Sequence, residues 1–573
     1  MVTQLTAHDH DGHWLLDFTI EGQRYSYTSA PDAVTVNEAD GTARLYVIGL
    51  EDVQVSRAAD SVAVSIEAQV DWAALAAQGV NLEGGTATLR RWFAGLTINE
   101  AVDFGKGLVI GVQYGELGEP LAFTVSSALQ ERTDLLLPLG AKSANSMQAA
   151  PYEPYEQTIG APFPIVIGFP GEWPSGKGGP ADGRWPCVPV ILTDVIIPGT
   201  SLNTAARCVI SLQGIDAASV RVRAVGARVA ASRPENLDAI RTPQIGHIPA
   251  HDGGVEYMLP VSFFDFTGTL VDGVDLATEM LPTVQETKIE YYAGFKQDTG
   301  GGIGNLYGTG TLAGAGDVII WALRTAAGDL QVDYAQLEAL APRLNAYRID
   351  TWLNDPNVTA LEYLRSAILP HLPVAETTTA AGWSLSYIDY GANSKDAIAT
   401  LTAGHDIERA SSVQLISNDV ANQVTVSYRP LDGSRNYASQ VTITPNVFVA
   451  GSNTAGDIRH PSYPSKIASA SESRYGLKAI DIEVDETWDD ATALLIAEDA
   501  IKARALPITA ISYQALSYEW ERTQIGEVYL LTDAGLSLSE RVAIVTDVQV
   551  GGGQPPVITL ILPDPMLKRP TGG

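Results

Sequence analysis

Two cysteines in 573 residues are too few for a disulfide framework or a cysteine-ligated metal centre. Cys187 and Cys208 are therefore expected as free thiols in a chain that folds in a reducing compartment. Basic residues are scarce as well: 36 Lys and Arg stand against 67 Asp and Glu, a net charge of −31. That is the wrong sign for gripping a phosphate backbone, so stable nucleic-acid binding is excluded. No apolar run approaches the roughly eighteen residues of a membrane-spanning helix. No Lys or Arg precedes Arg24, and Met1 to His13 lacks an apolar stretch, so no secretory signal is expected there and synthesis in a cytoplasm is.

What is present is a globular composition, 45% apolar and 18% charged, with 53 Gly and 32 Pro that favour turns over long helical bundles. At roughly 100 to 200 residues per domain, the length leaves room for about three to five domains. The acids are scattered except at Asp481, Glu483, Asp485, Glu486, Asp489, Asp490, Glu498 and Asp499, a stretch without Lys or Arg that reads as a solvated face.

Periodicity divides the chain. Trp14, Leu16, Phe18 and Ile20 alternate with Leu15, Asp17 and Thr19, and after Glu21-Gly22-Gln23 the alternation resumes at Tyr25 and Tyr27, a hairpin with one buried face. Val62, Val64 and Ile66 make another strand, followed by Asp71 as N-cap, a helix from Trp72 to Gln78, and Gly79 as its stop. Pro and Gly crowd the segment from Ala150 to Pro186. Leu337, Leu340 and Leu344 have helical spacing, and Asp355-Pro356 begins a second helix that runs through Leu361 and Ile368 until Pro370. Trp488 to Ala505 reads as an amphipathic helix whose apolar side, Ala491, Leu494, Leu495 and Ile501, is expected to pack on the strands that follow. The resulting division is 1–150, an N-terminal β-rich domain; 151–187, a Pro/Gly-rich excursion; 188–316, a second β-rich domain; 317–375, a small helical domain; 376–485, a third β-rich domain; and 486–573, a C-terminal helix with a β-hairpin.

Candidate chemistry is thin. His8, His10 and His13 approach an H-x-H-x-D-H zinc box, but Gly12 stands where its Asp belongs. Gly171-Glu172-Trp173-Pro174-Ser175-Gly176-Lys177-Gly178 nearly fits a phosphate-binding loop. Gly178 replaces the Mg²⁺-binding hydroxyl, and Gly179 and Pro180 preclude the helix that should follow. His247 and His251 beside Asp252 have metal-ligand spacing, but Pro249 between them favours a turn. No G-x-S-x-G elbow occurs and neither cysteine has a nearby His, so no nucleophile is nominated. The expectation is no enzyme: no catalytic, cofactor-binding or metal residue, and no cofactor.

Three blocks carry a resemblance. The first is Val332-Asp333-Tyr334 with Leu337, Leu344 and the Leu361-to-Leu369 helix, leading to Trp383-Ser384-Leu385. The second is Asn422-Gln423-Val424-Thr425-Val426-Ser427-Tyr428, followed by Arg474-Tyr475-Gly476. The third is the Trp488-to-Ala505 helix, then Ile525-Gly526-Glu527-Val528-Tyr529-Leu530-Leu531-Thr532-Asp533, then Val545-Thr546-Asp547-Val548. In this order they resemble the central hub, or tail-tip, proteins of long-tailed bacteriophages and gene-transfer agents, with Glu527 in place of the usual Asp. Leu89-Arg90-Arg91-Trp92 and Gly107-Leu108-Val109-Ile110-Gly111-Val112 are similar to the family's first β-barrel.

The resemblance implies a mainly β, multidomain fold: β-barrel-type hub domains, a short helical domain and a C-terminal α+β domain. It implies a structural virion protein at the tail tip, assembled in the bacterial host cytoplasm, that joins a sixfold tail tube to a threefold tip and lines the path by which DNA leaves. The implied partners are two further copies in a homotrimer, the distal tail or tail tube protein ring, the tape measure protein, and tip or fibre proteins, with no membrane span. Two similar β-domains per chain are expected, 1–150 paired with either 188–316 or 376–485. The competing reading is a receptor-binding or carbohydrate-binding tail protein, for which Tyr152, Tyr155, Trp173 and Trp185 are the nearest aromatic cluster.

Overall fold

The computed structural model describes most of residues 12–129 and 312–564 and, between them, chiefly the strands within 165–292. The molecule is mainly β, arranged in several sheets with a few helices. The first sheet has eight strands and starts with the hairpin His13–Ile20 and Gln23–Thr28, paired from Leu15↔Thr28 to Ile20↔Gln23. A two-residue loop at that register needs a left-handed backbone, and Gly22 supplies it at φ +82°. The sheet curls until Leu50, just past the strand Ala43–Ile48, bridges to Ile66 at the opposite edge. Trp14, Leu16, Phe18 and Ile20 point inward as their alternation requires.

The outer face of that strand is buried too, which corrects the expectation of a one-faced hairpin. Leu15 packs with Val36, Tyr46, Trp92 and Ile98 beneath the hairpin Val34–Asn37 and Ala43–Ile48, which folds back over the sheet. The helix Trp72–Ala77 forms as read, with the Asp71 side chain accepting from Ala74 N–H.

A second eight-stranded sheet takes its strands from two separate stretches. Ala399–Thr402, Ile407–Arg409 and Gln414–Ile416 join Ile508–Ala515, Val528–Asp533, Leu538–Gly551 and Gln554–Leu562. The eighth strand is Val55–Ser56, lent by the N-terminal stretch, which pairs with Gln549 and Val550. The two large sheets share one apolar core in which Trp14, Phe18, Val62 and Phe123 lie with Leu401, Tyr513, Leu531, Val548 and Leu560. The partner of the first sheet is thus not 188–316, and only in part 376–485: its strands come from 399–416, inside that block, and from 508–562 beyond it.

A separate body draws its elements from both sides of the 399–416 strands. Helices Ala315–Ala327 and Tyr334–Leu344, the helical run from Ala360 to His371, and the hairpin Val374–Thr379 and Gly382–Tyr387 adjoin a four-stranded sheet. That sheet consists of Gln423–Leu431, Asn436–Ile443, Phe448–Ala450 and Ala479–Glu483. Helix Asp490–Arg504 begins at Asp489, whose side chain accepts from Thr492 N–H. It buries Ala493, Ile496, Ala497 and Ile501 in one core with Val424, Val426, Val441 and Ile443. Here the structure departs from the expected packing: the helix rests on the strands before it, Leu494 and Leu495 are only half-buried and Ala491 is exposed. The reason is that every fourth residue from Ala493 is small or branched, and this flat strip lies against the sheet while the bulkier leucines sit at its margin.

The Arg474-Tyr475-Gly476 segment ends helix Ser462–Tyr475, and the buried Asn422 amide fastens that end by donating to the Gly476 carbonyl and accepting from Lys478 N–H, both at 2.8 Å. Gly526 is held by a close approach: a Cβ there would lie 2.5 Å from the Tyr387 carbonyl oxygen, so any side chain would part the second large sheet from the hairpin ending at Tyr387. In the central region Val188–Leu192, Ala205–Ser211, Gln244–Asp252 and Val255–Phe266 form a four-stranded antiparallel sheet. From the Pro/Gly-rich stretch, Ile165–Ile167 pairs with Thr351–Leu353.

Ile501→Ala should cost about 2–5 kcal/mol, the usual loss for a fully buried aliphatic side chain, and Ala491→Asp should stay within about 0.5 kcal/mol. Urea unfolding read through protease cleavage within 423–504 checks this, and equal costs at the two positions would show that the helix does not face the sheet.

Candidate functional site

The place where most depends on a few side chains is the junction of the two large sheets. Strand Thr86–Trp92 pairs Arg91 across from Trp14, so both point to the same inward face. Arg91 lies with its guanidinium 5.0 Å from the Trp14 ring centroid and 5.6 Å from that of Tyr518. Its Nε is 3.4 Å from Glu521 Oε1, and both side chains are only 1% exposed. Glu521 belongs to the short helical turn Tyr518–Arg522 of the second large sheet. An arginine between two aromatic faces and facing a carboxylate therefore closes the seam. Gly12 passes directly over it: a Cβ at that position would lie 2.6 Å from Arg91 Nε and 2.8 Å from the Phe93 ring. The residue that breaks the zinc box is small because the arginine needs the space.

Each large sheet also holds one buried aspartate gripped by arginine and tyrosine. Asp17 accepts from Arg24 at 2.7 Å, Ser26 at 2.6 Å, Tyr46 at 2.8 Å and Arg90 at 2.7 Å. Asp533 accepts from Arg409 at 2.9 Å and Tyr513 at 2.9 Å, and caps the turn at Leu536 N–H. Burial alone would raise both carboxyls, but the donors outweigh it and hold each below the usual range. Carboxylates held ionised and saturated with donors are structural clamps rather than acids or bases.

The acidic stretch divides by position, which corrects its reading as one solvated face. Asp481, Glu483 and Asp485 are exposed. Asp489 caps the helix, Asp490 accepts from Tyr428 and Arg429, and Asp499 accepts from Tyr347 and Lys502. Glu486 contributes its carbonyl to Asp350 N–H, and burial, reinforced by the neighbouring Asp485, pushes its carboxyl up to about 8.

Of the residues weighed for chemistry, His8, His10, Tyr152, Tyr155, Cys187 and the stretch Gly171 to Gly178 lie outside the described residues. His13 opens the first strand. His247 and His251 lie on strand Gln244–Asp252, opposite Pro260 and Glu256, so the turn expected at Pro249 is extended strand instead. An antiparallel hairpin tolerates that proline where it lies on the outer strand of the sheet, as here. Cys208 pairs with Pro189 and Phe264 on its strand, and Trp185 pairs with Tyr291. Among the described residues no three His, Cys, Asp or Glu side chains converge as a metal site, and no helix is long and apolar enough to cross a membrane. Nothing in the sequence marks Arg91 and Glu521 as a pair. The available signal was the paired arginines of Leu89-Arg90-Arg91-Trp92, because strand alternation must turn one of two neighbours inward.

No protein-family model matches the chain, and no curated protein sequence matches it. Solved structures similar to it include the tail protein from Neisseria meningitidis MC58, at 8% identity and TM-score 0.36 over 97% of this chain and 97% of that one. The 43 kDa tail protein of prophage MuSo2 from Shewanella oneidensis matches at 8% identity and TM-score 0.36, over 97% of this chain and all of that one. A chain of the virion of a native gene transfer agent particle matches at 11% identity and TM-score 0.35, over 71% of this chain and 90% of that one.

Two outcomes are expected at these sites. Arg91→Met, which leaves Glu521 buried opposite an apolar side chain, should cost about 3–5 kcal/mol, and Arg91→Met with Glu521→Leu should recover most of it; urea unfolding of the three proteins tests this, and additive losses would mean that the residues are not coupled. Glu486 binds its proton more tightly folded, at about 8, than at its ordinary value of 4.5, so its contribution to stability is complete below about pH 4.5 and is lost as pH rises through about 8. Glu486→Gln should flatten the fall of melting temperature between those limits, and an unchanged slope would place that fall in another group.

Proposed function

We propose that this chain is a structural protein of a phage-type tail, and within the tail the hub that caps the sixfold tube and carries a threefold tip. The observation that carries the reading is the fusion of two eight-stranded sheets, the first of them curled, on one core within a single chain. Such a chain carries two large β-sheets, so three copies around an axis carry six, and closed rotational symmetry is how bounded assemblies are built. The side-chain inventory agrees with this role. The buried charges described above are tied up in clamps and seams, and rigidity is what a connector requires.

A net charge of −31 suits a wall along which DNA moves, because an acidic surface repels a phosphate backbone and keeps it from adhering. In this reading the protein is assembled in the bacterial host cytoplasm as a homotrimer. It meets the tube ring on one side, tip or fibre proteins on the other, and the tape measure protein within. Division of the chain at about 150, 187, 316, 375 and 485 remains part of the proposal, with the second large sheet drawn from both sides of the last boundary.

Copy number and symmetry in the assembled particle, determined by electron microscopy, test the assignment. Three copies around the tail axis are expected. Six or twelve copies, or a position on side fibres, would end the hub reading and favour the receptor-binding or carbohydrate-binding alternative.

A further inference from the structure

Among the described residues, strand Ala479–Glu483 is an outer strand of the four-stranded sheet, paired in parallel with Gln423–Leu431 on one side and with no strand on the other. Its side chains alternate strictly. Ile480 and Ile482 pack toward the core, while Asp481 and Glu483 are exposed; Asp485, in the turn beyond the strand, accepts from the Tyr437 hydroxyl at 2.8 Å. An open edge is a template for another strand, and charges along it decide which strand is accepted. Two carboxylates about 6.7 Å apart repel a second copy of the same edge on a chain of net charge −31 and favour a basic one.

Beside this edge lies a cleft of about 170 Å³ with Ile482 in its wall, lined by apolar Leu372, Ile388, Ile496 and Ala503 and also by His371, Tyr390, Asp499 and Arg504. A cavity of about 150 Å³ accepts benzene, so by volume this cleft has room for one aromatic ring, with polar groups at hand as well as apolar ones. In strand addition, main-chain hydrogen bonds supply affinity and a pocket for an alternate side chain supplies specificity. The edge and the cleft combine the two.

We propose that the edge Ala479–Glu483 and the adjoining cleft form a docking site for an extended, basic segment of a second protein. The segment pairs with the open edge, sets Lys or Arg against Asp481 and Glu483, and places one aromatic side chain in the cleft. The site is complete within one chain, so it stands apart from the assembly proposed above, and the purified chain suffices to test it.

The probe is a fluorescein-labelled peptide of alternating Lys and Val with one central Phe, titrated against the full-length protein at about 0.15 M salt. Saturable binding is expected, with protection of the 479–483 amides from hydrogen exchange. Asp481→Asn with Glu483→Gln, both at exposed positions, should weaken binding about tenfold or more. Ala503→Trp should do the same by filling the cleft, and a peptide with Phe replaced by Ser reads the cleft independently should that variant misfold. No saturable binding up to about 1 mM, protection elsewhere in the chain, or equal affinity of parent and charge variant would overturn the proposal. Equal affinity for the Phe and Ser peptides would overturn the role of the cleft.

Discussion

The constraint on which the rest of this molecule depends is that two large sheets close over a single apolar core. Neither sheet could remain as it is without the other, because Trp14 and Phe18 of one and Tyr513 and Leu560 of the other belong to the same buried cluster. Separation would expose both inner faces, at roughly 25 cal/mol for every Å² of apolar surface. The strand Val55–Ser56 makes the union physical by leaving its own stretch to pair with Gln549 and Val550, and Ser56 donates to Asp547 at 2.7 Å. Arg91 and Glu521 face each other across the union at 3.4 Å. Apolar surfaces can slide, whereas moving either member of a buried charge pair away leaves the other charge uncompensated.

The strong excess of acid is consistent with a stable fold because the structure sorts its carboxylates by surroundings. Asp17 and Asp533 stay ionised in the interior by accepting from arginine and tyrosine. Asp489 lies at a helix N-terminus, where the backbone N–H groups favour negative charge. Glu486, half-buried and beside another acid, takes the opposite course, its carboxyl pushed up to about 8. Asp481 and Glu483 remain in water on an open edge, where solvent screens them and where a partner can meet them.

Much of the local structure was legible residue by residue. The Asp71 cap and the helix after it, the loop at Gly22, the strand through Val424, Val426 and Tyr428, and the helix around Leu337 follow from periodicity and capping, which act over a few residues. The helix through Leu361 starts later than the expected Asp355-Pro356, at Ala360, because the Thr359 and Glu362 side chains form its capping box. Where the reading failed, a distant contact had decided. Leu15 lies on what should be a solvated face, and only a hairpin twenty residues further on covers it. Pro249 signals a turn in isolation, and only its place on an outer strand makes it tolerable.

By itself the amino-acid sequence determined the class of the molecule: a mainly β chain with a short helical stretch, few thiols, a large negative charge and no assembled catalytic motif. These are properties of composition and of neighbours in the chain. Tertiary structure alone decided which strands share a sheet, which side of helix Asp490–Arg504 is covered, and that Arg91 faces Glu521 across 430 positions of sequence. The physical reason is that alternation shows that a face is buried but not against what. Burial has no direction along the chain, and the partner is chosen by shape and charge only after the chain has folded back on itself.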